Sequence, residues 1–242
     1  MWFIRLLVLV LAVSSGRSAA ASDELVLTIS IGAPLSTQNG TGFLDRLGHE
    51  MFRGIDRKLK IVTVPGVRGL ENLVRGIDDG LLARTSSIEP DYPMAVRVPE
   101  TMMQLDMVAI GTDGTAERID WDHLSAFRVA YVRGWKVFEQ RATGARSALA
   151  VSGPDQLLPL LRADRVDLLL WERFVAMLKI KEERVPNARI LEPPLVSSEI
   201  FMYLHERHAS LTPRLAASLR AMKIDGRYQR LMDDLHLHLR DR

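Results

Sequence analysis

The sequence predicts an α/β protein made of two successive strand–helix series, each an open sheet flanked by helices. Three observations carry this. Strand-like and helix-like apolar patterns alternate throughout the chain after residue 21. The polar break Gly111-Thr112-Asp113-Gly114-Thr115 divides them into two runs. No heptad seam, low-complexity tract or internal repeat competes with that reading.

The elements follow in order. Leu25, Leu27, Ile29 and Ile31 alternate with Val26, Thr28 and Ser30, which predicts a first strand. After a turn-rich loop from Gly32 to Gly42, Phe43, Leu44, Leu47, Met51 and Ile55 recur at helical spacing. Lys60 to Val64 is a short strand stopped by Pro65-Gly66, and Leu70, Leu73, Val74 and Ile77 form the next helix face. Leu81-Leu82-Ala83, Ala95 to Val98 and Leu105 to Ile110 are strand candidates. Beyond the break, Phe127, Val129 and Tyr131 alternate with Arg128 and Ala130 as a strand, and Arg133-Gly134 turns into a helix near Trp135. Ser147 to Val151 is a strand, with Ser152 and Pro154 placed to open a helix. Val166 to Leu170 is a strand and Trp171 to Ile180 a helix. Pro193-Pro194 closes the series, Ser198 to Leu204 is a further strand, and Thr212-Pro213 opens two final helices separated by Gly226.

Length and composition set bounds. The 242 residues suffice for one large domain or two lobes, each with its own core. Apolar residues make up 47% and charged residues 26%, an ordinary globular balance. Cysteine is absent, which excludes a disulfide, a thiolate metal site, a cysteine nucleophile and a lipid anchor on an N-terminal cysteine. Met1 to Ala21 reads as a signal peptide: Arg5, the apolar run Leu6 to Val13, then the small residues Ala19-Ala20-Ala21, with cleavage expected before Ser22. The apolar run falls short of the roughly 20 residues a spanning helix needs. This leader holds Arg5 and Arg17 and no acid, so its removal takes the net charge from +2 to 0. No basic field for nucleic acid remains.

The order of these pieces resembles the family 3 periplasmic solute-binding proteins. Gly42-Phe43-Leu44-Asp45-Arg46-Leu47 looks like that family's entry to its first helix. Val74-Arg75-Gly76-Ile77-Asp78-Asp79-Gly80 looks like its approach to a buried strand, and Arg128 to Trp135 looks like its start of lobe two. Leu161-Arg162-Ala163-Asp164-Arg165-Val166-Asp167 looks like its later strand entry. The resemblance implies the two-lobed type II periplasmic binding fold, with the chain crossing twice between lobes. It implies a signal peptide over 1–21, lobe one over 22–110 and 195–242, and lobe two over 111–194.

The departures from the family bear on the ligand. The arginine that clamps a ligand carboxylate falls near Pro90, so that clamp is missing. The first loop, Ala33-Pro34-Leu35, lacks the aromatic residue that stacks on ligand, and Glu172 stands where an Asp holds an α-amino group. These changes speak against a standard α-amino acid.

The candidate ligand-binding residues are Arg84, Ser86, Arg133, Gly134, Trp135, Lys136, Trp171 and Glu172. Arg84 ends a strand, and a guanidinium grips an oxyanion with two parallel bonds. Gly134 admits close backbone approach, and free amides at the following helix start can hold an anion. Trp135 can wall a cleft or pack between helices. Glu172 can hold a cation or sit as a solvated helix-start acid. Ser36, Thr37 and Gln38 can donate to a ligand or simply form a turn. The histidine spacings do not suit a metal, and no phosphate-loop, hydrolase-elbow or dinucleotide motif is present.

The expected function is capture of a small polar or anionic solute in the periplasm, by a monomer serving a permease or sensor. No cofactor, metal, nucleic acid or mature membrane span is expected. Two alternatives stand beside it: a dehydratase-like enzyme on the same scaffold, using Glu172 or Glu100, and a degenerate domain that binds a protein partner.

Overall fold

The computed structural model describes residues 24–114 and 119–240. The expected leader and its cleavage before Ser22 lie outside them. The first series is β1 (Glu24–Ile29), α1 (Phe43–Arg53), β2 (Lys58–Thr63), α2 (Gly66–Val74), β3 (Gly80–Thr85), β4 (Ala95–Arg97) and β5 (Met103–Gly111). The second is β6 (Arg128–Val132), α3 (Lys136–Arg141), β7 (Ser147–Val151), α4 (Leu157–Arg162), β8 (Leu168–Glu172) and α5 (Arg173–Glu183). The chain ends in β9 (Arg189–His205), α6 (Thr212–Ile224) and α7 (Arg227–Arg240).

The same parallel trio occurs twice. In the first lobe β1 lies between β2 and β3; in the second, β6 lies between β7 and β8. Each third strand is pinned to the first by one aspartate. The Asp79 carboxylate accepts the Val26 N–H at 2.8 Å, and the Asp79 N–H returns a 2.8 Å bond to the Val26 carbonyl. Asp167 and Arg128 repeat this exchange at 2.7 and 2.8 Å. The two strand-entry segments noted in the sequence carry these aspartates.

Two long antiparallel strands cross between the lobes. β5 pairs with β9 from Met103↔Ile200 to Gly111↔Arg189, while its Met107–Ile110 stretch also pairs with β8. The other half of β9 pairs with β3 and β4. The ladder therefore runs β2-β1-β3-β9-β5-β8-β6-β7, with β4 on β9, and links the two open sheets.

Three local expectations need correction. Pro193-Pro194 does not close the second series as a break before a new strand; it bulges from within β9, where the register passes from Leu191 to Val196 while β5 moves only from Ala109 to Met107. Proline has no N–H for the ladder, and a bulge removes the need for one. Ile77 is not on a helix face: α2 stops at Val74, Gly76 adopts φ 64°, and Ile77 is 61% exposed. A left-handed glycine after the last turn is a common helix stop. The helix expected from Trp171 begins at Arg173, because Trp171 and Glu172 still pair with Val108 and Met107 of β5.

The main core runs through both lobes along the sheet, from Leu27, Phe43 and Leu47 to Val129, Leu169 and Ala176. A smaller cluster of Leu70, Leu73, Leu81, Ile88, Phe201 and Tyr203 seats α2 on the first lobe. The helix seated by that cluster begins at Gly66, beside the end of β1.

Candidate functional site

In parallel α/β sheets, ligands sit beyond the carboxyl ends of the strands. In the first lobe those ends bring three segments together: Ser30 after β1, Gly66 after β2, and Arg84 near the end of β3. The Arg84 Nη2 donates a 2.7 Å hydrogen bond to the Gly66 carbonyl. A Cβ placed on Gly66 would lie 3.2 Å from both terminal guanidinium nitrogens and 3.5 Å from the Ser30 hydroxyl. A side chain at Gly66 would press on the guanidinium, which would have to shift by a few tenths of an ångström.

Arg84 has no carboxylate partner among the described residues. Burial lowers its pKa to about 10, opposed only by Tyr92. Arg84 is half-buried, and among the described residues the Gly66 carbonyl is the one acceptor that hydrogen-bonds its guanidinium. No side chain caps α2, so its first-turn N–H groups lie beside this guanidinium with their partial positive charge unopposed from within the helix.

The second lobe approaches at the next residue. Gly134, in the turn after β6, adopts φ 92°, and a Cβ there would lie 3.7 Å from Val67 Cγ2 and 3.9 Å from the Val67 nitrogen. Arg84 and Gly134 thus flank the adjacent residues Gly66 and Val67 from opposite lobes. The sequence had marked both arms of this arrangement, but not Ser30, Gly66 or Val67. Its one available signal was Pro65-Gly66, read only as a strand stop.

The other candidates are placed as follows. Ser86 opens a short turn after β3 and is exposed. Arg133 and Lys136 are exposed, and Lys136 pairs with Glu139 at 3.5 Å. The Gly134 N–H is not free for an anion, since it donates to the Glu139 carboxylate at 2.7 Å. Trp135 is half-buried and stacks on Phe138 at 6.0 Å between ring centroids. Trp171 is 3% exposed, inside the second-lobe core.

Glu172 is at a helix start, but it is not solvated. It is fully buried, and its two carboxylate oxygens accept the N–H groups of Phe174 and Val175 at 3.0 and 2.9 Å. Burial pushes its pKa up to about 7 against the pull of those two hydrogen bonds. Trp171 and Glu172 therefore present no surface to the space between the lobes.

Of the remaining sequence candidates, Gln38 is exposed, and Ser36, Thr37 and Glu100 are engaged within the protein. Ser36 donates to the buried Asp45 at 2.7 Å, and the Thr37 N–H reaches the same carboxylate at 2.8 Å. Glu100 is held by Lys223 at 2.6 Å and Arg220 at 3.4 Å, on α6. His208 pairs with Asp79 at 2.7 Å.

Two hollows lie elsewhere. One of about 670 Å³ is lined by Phe127, Arg146, Arg162 and Asp167, at the amino ends of the second-lobe strands. One of about 410 Å³ lies between α1 and α7. Neither includes a residue of the Arg84–Gly134 arrangement.

No protein-family model matches the chain. An uncharacterized protein of Shewanella oneidensis is 25% identical over 175 residues, which are 69% of this chain and 66% of that protein, just under two thirds of its length. Solved structures match more fully. A histidine kinase sensor domain with similarity to periplasmic binding proteins superposes with a TM-score of 0.77 at 17% identity, over 88% of this chain and 96% of that one. A mutant of the arginine-binding protein of T. maritima gives 0.74 at 17%, over 88% and 95%. The ligand-binding core of GluR0 from Nostoc punctiforme, solved with L-glutamate, gives 0.74 at 17%, over 87% and 98%. With two parallel trios joined by two crossing strands, the chain has the two-lobed type II fold of the periplasmic binding proteins.

Proposed function

We propose that the chain is a divergent solute-binding protein of the family 3 kind, which captures a small polar or anionic solute between its lobes. It is exported by its leader, works in the periplasm as a monomer, and serves a permease or a sensor. Its lobes are 22–110 with 195–242, and 111–194, with the crossings carried by β5 and β9. One observation carries the reading: a half-buried arginine of one lobe and a glycine turn of the other flank the same two residues, Gly66 and Val67. The structural neighbours named above are binding proteins and a sensor domain, which supports the same kind of role. Glu100 and Glu172, the acids an enzyme on this scaffold would draw on, are committed to α6 and α5.

The test is a thermal-shift screen of the mature protein against amino acids, organic acids and polyamines, with X-ray scattering on each hit. A ligand at 100 times its Kd adds about 2.7 kcal/mol, enough to raise the melting temperature by several degrees. A true ligand should also lower the radius of gyration as the lobes close. No stabilisation by any compound, with scattering unchanged throughout, overturns the reading.

A further inference from the structure

Resting on that reading, we infer that the solute is a small oxyanion without an ammonium group, gripped by Arg84 beside the start of α2. The argument is one of charge balance at the meeting of the lobes. On the first-lobe side stand a guanidinium whose only hydrogen-bond partner among the described residues is the Gly66 carbonyl, the uncapped start of α2, and the Ser30 hydroxyl. All three offer hydrogen-bond donors, and the guanidinium lacks a counter-charge. An oxyanion supplies what is missing, and a guanidinium fork makes charge-assisted bonds to it.

An amino acid would bring a cation as well, and that cation needs a free carboxylate. The acid beside the Gly134 turn and the one at the end of β8 are already in use. Glu139 accepts the Gly134 N–H and pairs with Lys136. Glu172 is enclosed, and both its oxygens are taken by the first turn of α5. On the first-lobe side, Glu89 accepts the Tyr203 hydroxyl at 2.8 Å and pairs with Arg97 at 3.3 Å. A desolvated ammonium left without such a partner weakens binding strongly.

Matched ligands isolate this point. Glutarate and L-glutamate differ only in the α-ammonium group, as do propionate and L-alanine. Calorimetric titration of the mature protein with both pairs and with inorganic phosphate is the experiment. The expected result is at least about tenfold tighter binding of the ammonium-free member. Arg84→Met should weaken that binding at least about tenfold, and Arg84→Lys, which keeps the charge but loses the fork, should fall between. Phosphate binding stronger than either carboxylate would assign the oxyanion as phosphate. The wild-type comparison alone decides the matter should Arg84→Met fail to fold. L-glutamate binding as tightly as glutarate, or more tightly, overturns the inference and leaves the solute-binding reading standing. So does binding of an amino acid alone. Ammonium-free binding that Arg84→Met leaves intact, in a folded variant, also overturns it. No binding by any compound here or in the wider screen removes both.

Discussion

The guanidinium of Arg173 lies 3.0 Å from the carboxylate of Asp106, and this pair joins the start of α5 to the outgoing crossing strand β5. The same guanidinium holds Glu192, on the returning strand β9, at 2.6 and 3.0 Å. Ser197, also on β9, donates to the other oxygen of Asp106 at 2.5 Å. One side chain therefore fastens both crossing strands to the second lobe, at the place where relative motion of the lobes would bend them.

Replacing Arg173 by Met should cost about 1–2 kcal/mol, since the guanidinium is only 20% exposed while Glu192 is largely solvated. Urea unfolding measures the loss. Hydrogen exchange gives the more specific readout. Amides of β5 and β9 near 106 and 197 should exchange faster, while those of β1 and β6 follow only the global change. Uniform acceleration over the whole sheet would mean that the cluster supports general stability and does not hold the crossing.

Glu172 gives a pH prediction with a definite sign. Its folded pKa, about 7, lies above the ordinary value of 4.5 because burial disfavours the carboxylate. The native state therefore binds the proton more tightly than the unfolded state. The associated stability is fully present below about pH 4.5 and is lost as pH rises through 7. Glu172→Gln keeps an acceptor for α5 and removes the titration. Relative to the parent, the variant should gain on the order of 2–3 kcal/mol between pH 4 and pH 8. Parallel stability–pH curves for the two proteins would show that Glu172 does not titrate in this window.

Asp79 and Asp167 act in the opposite sense. Burial opposes ionisation of Asp79, but the Val26 N–H, Arg207 and His208 outweigh it and hold its pKa below the ordinary 3.8. Asp167 is lowered chiefly by the Arg128 guanidinium. A lowered folded pKa gives stability that is present above the ordinary value and lost as pH falls through the folded one. Asp79→Asn and Asp167→Asn should be less stable than the parent at pH 7, and the gaps should close toward about pH 2. Acid-titrated unfolding curves check this, and gaps that stay constant over that range would refute it.

How far the sequence exposes this architecture depends on the range of the interactions involved. Apolar residues from Leu25 to Ile29 and along Val129 and Tyr131 mark strands, although both sheet faces are covered there and the intervening Thr28 and Ala130 are buried as well. Gly226 marks the break between α6 and α7 through its own φ of 80°. The long β9 was harder to see. It pairs with β5 on both sides of Pro193-Pro194 and, from Ile200 onward, with β3 and β4, and no local pattern records which partner lies alongside. At the site, Arg84 and Gly134 stand out as residue types at strand ends. The enclosure of Glu172 does not, because a carboxylate that caps a buried helix start is spelled like one at a solvated start. Glu139 was missed for a related reason: its bond to Gly134 follows from the tightness of the turn.

Gly134 separates two requirements that a single substitution usually mixes. Its φ of 92° suits glycine, so Gly134→Ala should cost about 1 kcal/mol in backbone strain. The added Cβ itself meets Val67 at 3.7 Å, which is ordinary contact, so the lobes can still approach. Gly134→Leu carries the same backbone strain and adds a branched side chain beyond the Cβ that already touches Val67. Both variants should lose similar stability in urea. Only Gly134→Leu should hold the lobes apart, with a larger radius of gyration by scattering and ligand binding weakened at least about tenfold. If the two variants scatter and bind alike, Gly134 is a turn residue alone and the lobes do not depend on close approach at Val67.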